Sequence, residues 1–309
     1  MRRLSSRLAF VALLAVVVAG WLAIFGVFSP TPSFLPSGTQ NITPTDTSVT
    51  ATAAVTRLSD FNKDTFTDLV ARDTTGKLWV SLGNGAGGLK VRHLISGGWK
   101  MYTLLASPGD VTGDGIADVL GVNPAGQLWL YPGNGTGGLG VRREIGFRGW
   151  EKMTSITSAG DMNGDGHNDL LACDSTGVLW FYPMTGNAAF GTRTQRTKIS
   201  SGWNGYTILG PGDVSGDGLA DILARDATGR LWLYRGNGAG GLNDPTLVST
   251  GWQPMTALVT PGNWDRAAGN DLLARDAQGR LWLYPGDNAG GFGSPHQIDD
   301  GWNIMTDIG

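Results

Sequence analysis

The chain has 309 residues, with 23 lysines and arginines against 26 aspartates and glutamates, so its formal net charge is -3. Three of the basic residues lie within the first seven positions, so the rest of the chain is more acidic, which argues against nucleic acid as a partner. The single cysteine, Cys173, excludes an internal disulfide, and its place in a predicted strand is typical of a packed thiol.

The amino terminus has the features of a membrane-targeting segment. Arg2, Arg3 and Arg7 precede an uncharged apolar run, residues 8–28, whose 21 residues are near the length needed to span a bilayer. The run is long and no clear Ala-x-Ala follows it, which favours a signal anchor over a cleaved signal peptide. Residues 29–49 are rich in Pro, Ser and Thr and predict a flexible linker. We therefore expect an extracytoplasmic protein, either secreted or held in the membrane through residues 8–28.

The rest of the chain, residues 50–309, is built from five repeats. A Leu-Trp pair recurs at intervals of 50, 51, 52 and 50 residues, with its indoles at Trp79, Trp129, Trp180, Trp232 and Trp282. A Gly-Trp pair keeps the same period and ends at Trp99, Trp150, Trp203, Trp252 and Trp302. A fixed period of about fifty residues indicates a repeat architecture.

Each repeat predicts four short strands. In the unit from 99 to 150 these are 101–107, 118–122, 127–131 and 141–145, separated by Gly, Pro and Asp turns. The third strand is apolar at both parities, so we expect it to be buried on both faces. No stretch after residue 50 shows helical periodicity. The prediction is an all-β, five-bladed propeller; one large sandwich would explain the short strands but not the period.

The ring must close by joining the first blade to the last. Residues 301–308 repeat the pattern of residues 98–105, whereas residues 51–55 match it only weakly. An unclosed ring would expose a sheet edge, so we expect the C-terminal strand to complete the first blade.

Aspartates cluster in the loop after the first strand of each repeat. The chain has 24 aspartates and two glutamates, and 14 of the aspartates lie in five such loops. In four loops, carboxylates occupy positions 1, 5 and 9, as in Asp110-x-Thr112-x-Asp114-Gly115-x-x-Asp118. Crowded carboxylates repel one another unless a cation is present, and a hard cation such as Ca²⁺ takes six to eight oxygens. The alternative is an Asp/Gly turn without a metal.

These loops, and the Gly291-Phe292-Gly293-Ser294-Pro295 run, resemble the FG-GAP/VCBS repeats of integrin alpha-chain propellers and of many secreted bacterial proteins. The resemblance covers residues 50–309 and implies Ca²⁺ bound by side chains at positions 1, 3, 5 and 9 and by the carbonyl at position 7. The implied ligands are Asp60, Asn62, Asp64, Phe66, Asp68, Asp110, Thr112, Asp114, Ile116, Asp118, Asp161, Asn163, Asp165, His167, Asp169, Asp213, Ser215, Asp217, Leu219 and Asp221.

Two loops depart from the family pattern. The first has Thr65 where glycine is expected at position 6. The fifth, residues 263–271, has Ala267 at position 5 with Arg266 beside it, so we expect about four calcium sites and an empty fifth loop.

The sequence favours a non-catalytic binding or adhesion propeller. The alternative is a lectin similar to five-bladed tachylectin-type lectins, with several inter-blade sites that stack sugars on aromatic rings. Its candidate ligand-binding residues are Trp99, Tyr102, Trp150, Trp203, Tyr206 and Trp252. Each Gly-Trp could instead pack one blade on the next, which we favour, and Arg72, Arg225 and Arg275 pose the same choice. The expected partner is a cell-surface or cell-wall glycan or an extracellular protein.

An enzyme is less well supported. The three histidines share no metal spacing, and no Ser or Cys nucleophile lies in a recognisable elbow. The repeated aspartates outside the loops, Asp73, Asp174, Asp226 and Asp276, suit turn capping. A secreted hydrolase would need a carboxylate pair at the propeller axis.

Overall fold

The computed structural model describes residues 59–190 and 196–309. The predicted signal or anchor segment 1–28, the linker 29–49 and the weak strand copy at 51–55 lie outside the described residues. Within the two described ranges, no helix is both long enough and apolar enough to cross a membrane.

The described residues form five four-stranded antiparallel sheets, which confirms the predicted all-β, five-bladed propeller. Blade 1 contains β1 Leu69–Asp73, β2 Leu78–Gly83 and β3 Leu89–Ser96. Blade 2 contains β4 Leu104–Gly109, β5 Asp118–Val122, β6 Leu128–Tyr131 and β7 Arg143–Gly146. Blade 3 contains β8 Met153–Gly160, β9 Asp169–Asp174, β10 Val178–Tyr182 and β11 Thr197–Ser201. Blade 4 contains β12 Thr207–Gly212, β13 Asp221–Arg225, β14 Leu231–Tyr234 and β15 Thr246–Ser249. Blade 5 contains β16 Met255–Gly262, β17 Asp271–Asp276, β18 Leu281–Tyr284 and β19 His296–Asp299.

The C-terminal strand β20, Met305–Ile308, completes blade 1 by pairing with β1. Ala71 lies opposite Ile308, and Val70 and Gly309 exchange two backbone hydrogen bonds of 2.9 Å. The predicted closure through residues 301–308 is therefore confirmed. Since β20 covers the inner edge of β1, the described part of blade 1 has the same four-strand order as the other blades.

The hydrophobic core lies between blades. Each buried cluster combines residues from two neighbours, such as Val70 of blade 1 with Val119 of blade 2. Leu69 of blade 1 likewise packs with Leu273 of blade 5, so the seam between the first and last blades is filled too. Stability therefore comes largely from blade-on-blade burial, as in other repeat proteins.

The third strand differs from its prediction of burial on both faces. Leu128 and Leu130 are fully buried, but Trp129 and Tyr131 are only half-buried, and the third strands of blades 3 and 5 alternate in the same way. In blade 4 only Trp232 is half-buried, because Tyr234 is 1% exposed. The indole faces reach the surface, where arginines cover them: the Arg196 guanidinium carbon lies 3.9 Å from the Trp180 ring centroid. The bulky residues at this parity are thus covered by charged side chains rather than by another sheet.

Short 3-10 helices, not predicted from sequence, precede three of the inner strands: Trp99–Met101, Trp150–Lys152 and Trp302–Ile304. In each, the glycine before the tryptophan has a positive φ, 91° at Gly98, which side-chain-bearing residues rarely adopt. This turn places the first strand of blade 2 at 104–109 instead of the predicted 101–107.

Candidate functional site

The Asp loops lie on one rim of the propeller, beside the Gly-rich loops that join the third and fourth strands. The backbone carbonyl at loop position 2 accepts a hydrogen bond from the Gly-rich loop of the next blade. Gly137 N donates to Phe61 O (3.0 Å), Ala188 N to Val111 O (2.8 Å) and Gly290 N to Val214 O (2.9 Å). The loops therefore tie neighbouring blades together at this rim.

The aspartate at position 1 organises each of the first four loops. In the second loop, Gly113 N donates to Asp110 Oδ1 (2.6 Å) and Gly115 N donates to Asp110 Oδ2 (2.7 Å). Both glycines have a positive φ, and a Cβ on Gly113 would lie 2.4 Å from Gly186 O. In the second loop, Gly113 therefore uses both the conformational freedom and the small size of glycine.

The first loop keeps this backbone without the glycines. Lys63 and Thr65 occupy positions 4 and 6 with φ of 63° and 74°, and Thr65 N still donates to Asp60 Oδ2 (2.9 Å). Thr65 thus replaces the glycine expected at position 6 without changing the loop conformation. Because a β-branched residue rarely adopts a positive φ, the backbone at Thr65 is strained.

The aspartate at position 5 faces solvent. Ile116 N donates to Asp114 Oδ1 (2.9 Å), and the same bond recurs at Asp64, Asp165 and Asp217. The second carboxylate oxygen accepts no backbone hydrogen bond in any of these four described loops. In the first and third loops this oxygen instead accepts a hydrogen bond from the asparagine side chain at position 3, and in the first loop Lys90 also donates to it.

The aspartate at position 9 is buried and joins the loop to the next hairpin. Asp118 Oδ2 accepts hydrogen bonds from Val111 N (3.0 Å) and Thr112 N (3.1 Å), while Oδ1 accepts one from Gly133 N (3.0 Å). The same two hydrogen bonds, one from the position 2 N–H and one from an N–H of the adjoining hairpin, recur at Asp68, Asp169, Asp221 and Asp271. Sequence reasoning assigned this carboxylate only to a metal and missed its structural role.

Burial raises the pKa of Asp118 to about 7 despite these hydrogen bonds, and repulsion by Asp110 and Asp114 adds to the increase. The pKa values of Asp68 and Asp169 are raised to about 7 for the same reasons. In these three loops, the carboxylates at positions 1, 5 and 9 are therefore close enough to repel one another.

The donor set of the first four loops fits a hard cation, because each supplies three carboxylates, a neutral side-chain oxygen and a carbonyl within nine residues. In residues 59–190 and 196–309, no group of three or more His, Cys, Asp and Glu side chains is already arranged around a metal position. The carboxylates at positions 1 and 9 are instead turned toward backbone N–H groups.

The fifth loop closes differently. Asn263 Nδ2 donates to Ala267 O (2.7 Å), and Arg266 has a φ of 62°. Trp264 N and Gly286 N still donate to Asp271, at 2.6 and 2.8 Å. The structural anchor at position 9 thus persists where the carboxylates at positions 1 and 5 are replaced by Asn263 and Ala267.

On the opposite rim, the aspartate after the second strand caps a turn, as predicted. Thr176 N and Val178 N donate to Asp174 Oδ1, and Trp180 Nε1 donates to Oδ2 (2.7 Å). Burial alone would raise the pKa of Asp174, but the Thr176 and Trp180 side-chain hydrogen bonds overcome it and lower the pKa to about 2. Asp73, Asp226 and Asp276 bind their Trp indoles in the same way.

The Gly-Trp indoles pack between blades. Trp203 is 1% exposed, its backbone N donates to Gly177 O of the preceding turn (3.0 Å), and its Nε1 donates to Ser200 Oγ (2.7 Å). Its ring centroid lies 4.8 Å from that of Tyr234. Sugar stacking needs an exposed aromatic face, and the proposed sugar-binding residues Trp99, Tyr102, Trp150, Trp203 and Trp252 are all buried, with Tyr206 half-buried.

The repeated arginines serve the same seam. Arg225 Nη1 donates to Trp252 O (3.1 Å) and Met255 O (2.6 Å), and Arg72 and Arg275 bind the corresponding carbonyls. Arg72 also pairs with Asp307 of β20 at 2.7 Å. These contacts are the ones that the inter-blade interpretation of Arg72, Arg225 and Arg275 predicts.

A groove on blade 5 and the axial channel are two open spaces that bear on ligand binding. A groove of about 390 Å³ on blade 5 is lined by Met255, Arg280, Trp282, Tyr284 and Pro295, among others. The axial channel, about 210 Å³, is lined by inner-strand residues such as Ile156, Thr207 and Thr260. Within the described residues, its lining includes no titratable side chain, so it brings no carboxylate pair together.

The sequence model of the FG-GAP-like repeat matches residues 60–121, 110–172 and 161–224, which together cover more than half of the chain. The chain belongs to the FG-GAP-like repeat family. A search of curated proteins finds no match.

Solved structures similar to this propeller include three lectins. One from Agrocybe aegerita, which recognises non-reducing terminal N-acetylglucosamine, is 20% identical with a TM-score of 0.46, over 79% of this chain and 65% of that chain. The BP39L lectin from Burkholderia pseudomallei is 18% identical with a TM-score of 0.47, over 78% and 68%. The Aleuria aurantia lectin is 11% identical with a TM-score of 0.41, over 75% and 74%. Similarity this low says nothing about the ligand of the FG-GAP propeller.

Proposed function

We propose that this FG-GAP propeller is a non-catalytic, extracytoplasmic binding and adhesion module whose first four Asp loops bind Ca²⁺. The observation that carries the proposal is the clustering of three carboxylates in each loop, with position 5 oriented to solvent and position 9 buried. Such clusters are stabilised by a cation that offsets their mutual repulsion. The apolar run at residues 8–28, after Arg2, Arg3 and Arg7, supports export to a compartment where calcium is abundant.

The ion would be held by the oxygens at positions 1, 3, 5, 7 and 9, and it would supply the positive charge that the loop lacks. Position 1 orients the loop backbone, and position 9 anchors the loop to the blade. Calcium would then stiffen the rim that carries the Asp loops. Because an ion bound only to the folded state stabilises it by mass action, its removal should lower the melting temperature.

The test is thermal unfolding and Ca²⁺ titration of the full chain, with and without chelator. Chelator should lower the melting temperature, and Asp165→Ala should remove one site from the calorimetric titration. Asp265→Ala, in the fifth loop, is the matched control and should leave the stoichiometry unchanged. An unchanged melting temperature in excess chelator, together with no measurable Ca²⁺ binding, would refute the calcium proposal.

Glycan binding is the second candidate, and the blade 5 groove favours it. Trp282 and Tyr284 are half-buried there, with Arg280 and Asp276 beside them, so the groove combines aromatic faces with polar groups. The Trp–Tyr pair of the third strand recurs in blades 2 to 5, whereas blade 1 has Ser81 in place of the tyrosine.

A titration discriminates between the two candidates. Several equivalent weak sites on a glycan array or cell-wall preparation would support the lectin, because weak sites on one rigid ring gain avidity on a repetitive surface. A single site for one protein partner would support the adhesion module.

Trp282→Ala should weaken glycan binding, while Trp264→Phe, at a buried indole on the other rim, serves as the control. Turnover of any substrate by the purified chain would overturn both candidates.

A further inference from the structure

The first Asp loop differs from the other three in having a lysine against it. Lys90 Nζ lies 2.8 Å from Asp64 Oδ2, the position 5 oxygen that faces solvent in the other loops. In the described residues, this is the one ion pair that involves a loop carboxylate; the other ion pairs join Arg72 to Asp307, Arg230 to Asp226 and Arg280 to Asp276.

A second contact holds the lysine in this position. The Lys90 ammonium lies 5.3 Å from the centroid of the Phe66 ring, and Phe66 is the position 7 residue of the same loop. The Arg266 guanidinium, from the fifth loop, lies 5.2 Å from the same ring. The corresponding residues in the other loops, Ile116, His167 and Leu219, have no such cation–π contact among the described residues.

The sequence supports the same distinction. Lys90 follows the Gly-Gly-Leu of the Gly-rich loop, where the other repeats have Gly140, Gly191, Asn243 and Gly293. No other repeat can therefore place an ammonium group at this point of the rim.

We propose that Lys90 acts as a built-in cation in the first Asp loop, so that one of its three carboxylates is already paired without calcium and the loop binds the ion more weakly than the second, third and fourth loops. The proposal rests on the calcium-binding function above. In the third loop, the oxygen of Asp165 that corresponds to Asp64 Oδ2 accepts only the Asn163 amide (3.1 Å), and an amide can rotate to present its own oxygen to an ion. An ammonium group has no acceptor, so Lys90 must leave before Ca²⁺ can use Asp64.

Single-loop variants of the full chain isolate each site. The combination Asp114→Asn, Asp165→Asn and Asp217→Asn leaves the first loop intact, and asparagine retains an oxygen for the position 7 N–H. The combination Asp64→Asn, Asp165→Asn and Asp217→Asn leaves the second loop intact. Isothermal titration with CaCl₂ then compares the two affinities.

We expect the first-loop variant to bind Ca²⁺ about tenfold more weakly than the second-loop variant, and Lys90→Met to recover most of that difference. Lys90→Arg keeps the charge and should recover little of it. Lys77→Met, which removes a lysine on the opposite rim, is the control and should change nothing. Melting temperatures confirm that each variant is folded.

Equal affinities of the two loops, or a change of less than twofold on Lys90→Met, would overturn the role of Lys90 while leaving calcium binding by the propeller intact. Absence of Ca²⁺ binding in the wild type and in every variant would overturn both. Absence in the wild type with binding by Lys90→Met would support the role of Lys90 and overturn calcium as the protein's resident ion.

Discussion

The turn after the second strand of blade 2 lacks a carboxylate that the other four blades use. Asn123 occupies the position of Asp73, Asp174, Asp226 and Asp276, and its Oδ1 caps the turn by accepting from Ala125 N (3.1 Å) and Gln127 N (3.0 Å). Its Nδ2, however, donates to Gln127 Oε1 (2.8 Å), and the Trp129 Nε1 is buried without a hydrogen-bond partner. The other indoles of this set donate to the turn aspartate at 2.7 to 3.1 Å.

Replacing Asn123 with aspartate should therefore stabilise the propeller. An unpaired buried donor costs about 1–3 kcal/mol, and the lost bond to Gln127 is worth about 1 kcal/mol, so the expected net gain is about 1 kcal/mol. For a domain of this size, that corresponds to a rise in melting temperature of about 2–4 °C. The assay is thermal unfolding of the full chain, followed by circular dichroism at neutral pH.

The opposite exchange in blade 3 is the matched control. Asp174→Asn should leave Trp180 Nε1 without its acceptor and lower the melting temperature. The gain from Asn123→Asp should also depend on pH in a defined direction, since the corresponding pKa of Asp174 is lowered to about 2. A lowered folded-state pKa means that the gain is present above about pH 4 and is lost as the pH falls toward 2. A melting temperature that falls or stays constant on Asn123→Asp would refute this account of the turn.

Three further predictions follow from the geometry of the rims and the ring closure. Deleting residues 301–309 should expose the edge of β1 and cause aggregation in size-exclusion chromatography, whereas a monomeric truncated protein of unchanged stability would show that another segment closes the ring. Thr65→Gly should raise the free energy of unfolding by about 1 kcal/mol, since it relieves a left-handed conformation of a β-branched residue, and no gain in urea denaturation would show that the loop is unstrained. Asp271→Ala should lower that free energy by about 3 kcal/mol or more because it leaves several buried N–H groups unpaired, and a loss equal to that of Asp265→Ala would contradict the anchoring role.

The blade count, strand number and ring closure could be predicted from the sequence because they depend on period and pattern. The Leu-Trp and Gly-Trp spacings fix five units, and the copy of the inner strand at the C-terminus identifies the closing strand. The turn-capping role of Asp174 and its equivalents could also be predicted, because an aspartate that ends a strand just before a glycine-containing turn is a local signal.

Features that depend on contacts between repeats could not be predicted from the sequence. The strand predicted at 101–107 begins at Leu104 because a 3-10 turn at Trp99 precedes it, and three residues are too few to show a helical period. It ends at Gly109, beyond the predicted stop, because a register shift between Ala106 and Gly109 allows Gly109 to pair with Asp118. Half-burial of the third-strand indoles depends on arginines outside the strand: Arg142 and Arg196 lie just before the fourth strand, and Arg230 and Arg280 lie in the turn before the third.

One feature of the sequence does indicate that the position 9 aspartate anchors the loop. In the fifth loop, positions 1 and 5 are Asn263 and Ala267, yet position 9 remains Asp271. A carboxylate required only for metal binding has no reason to remain where its companions are replaced, whereas one that binds backbone N–H groups of two loops is required in every blade.

The three carboxylates of each Asp loop therefore have separable roles. Position 9 is buried and holds the loop against the neighbouring hairpin in all five blades. Position 1 shapes the backbone of the first four loops, and position 5 is an exposed aspartate in the second, third and fourth loops. Because the anchor uses N–H donors already within the fold, the propeller can assemble before an ion arrives. If the first four loops bind Ca²⁺ as proposed, a substitution at position 5 such as Ala267 would remove the ion without removing the anchor, so one fold could accommodate loops with and without a cation.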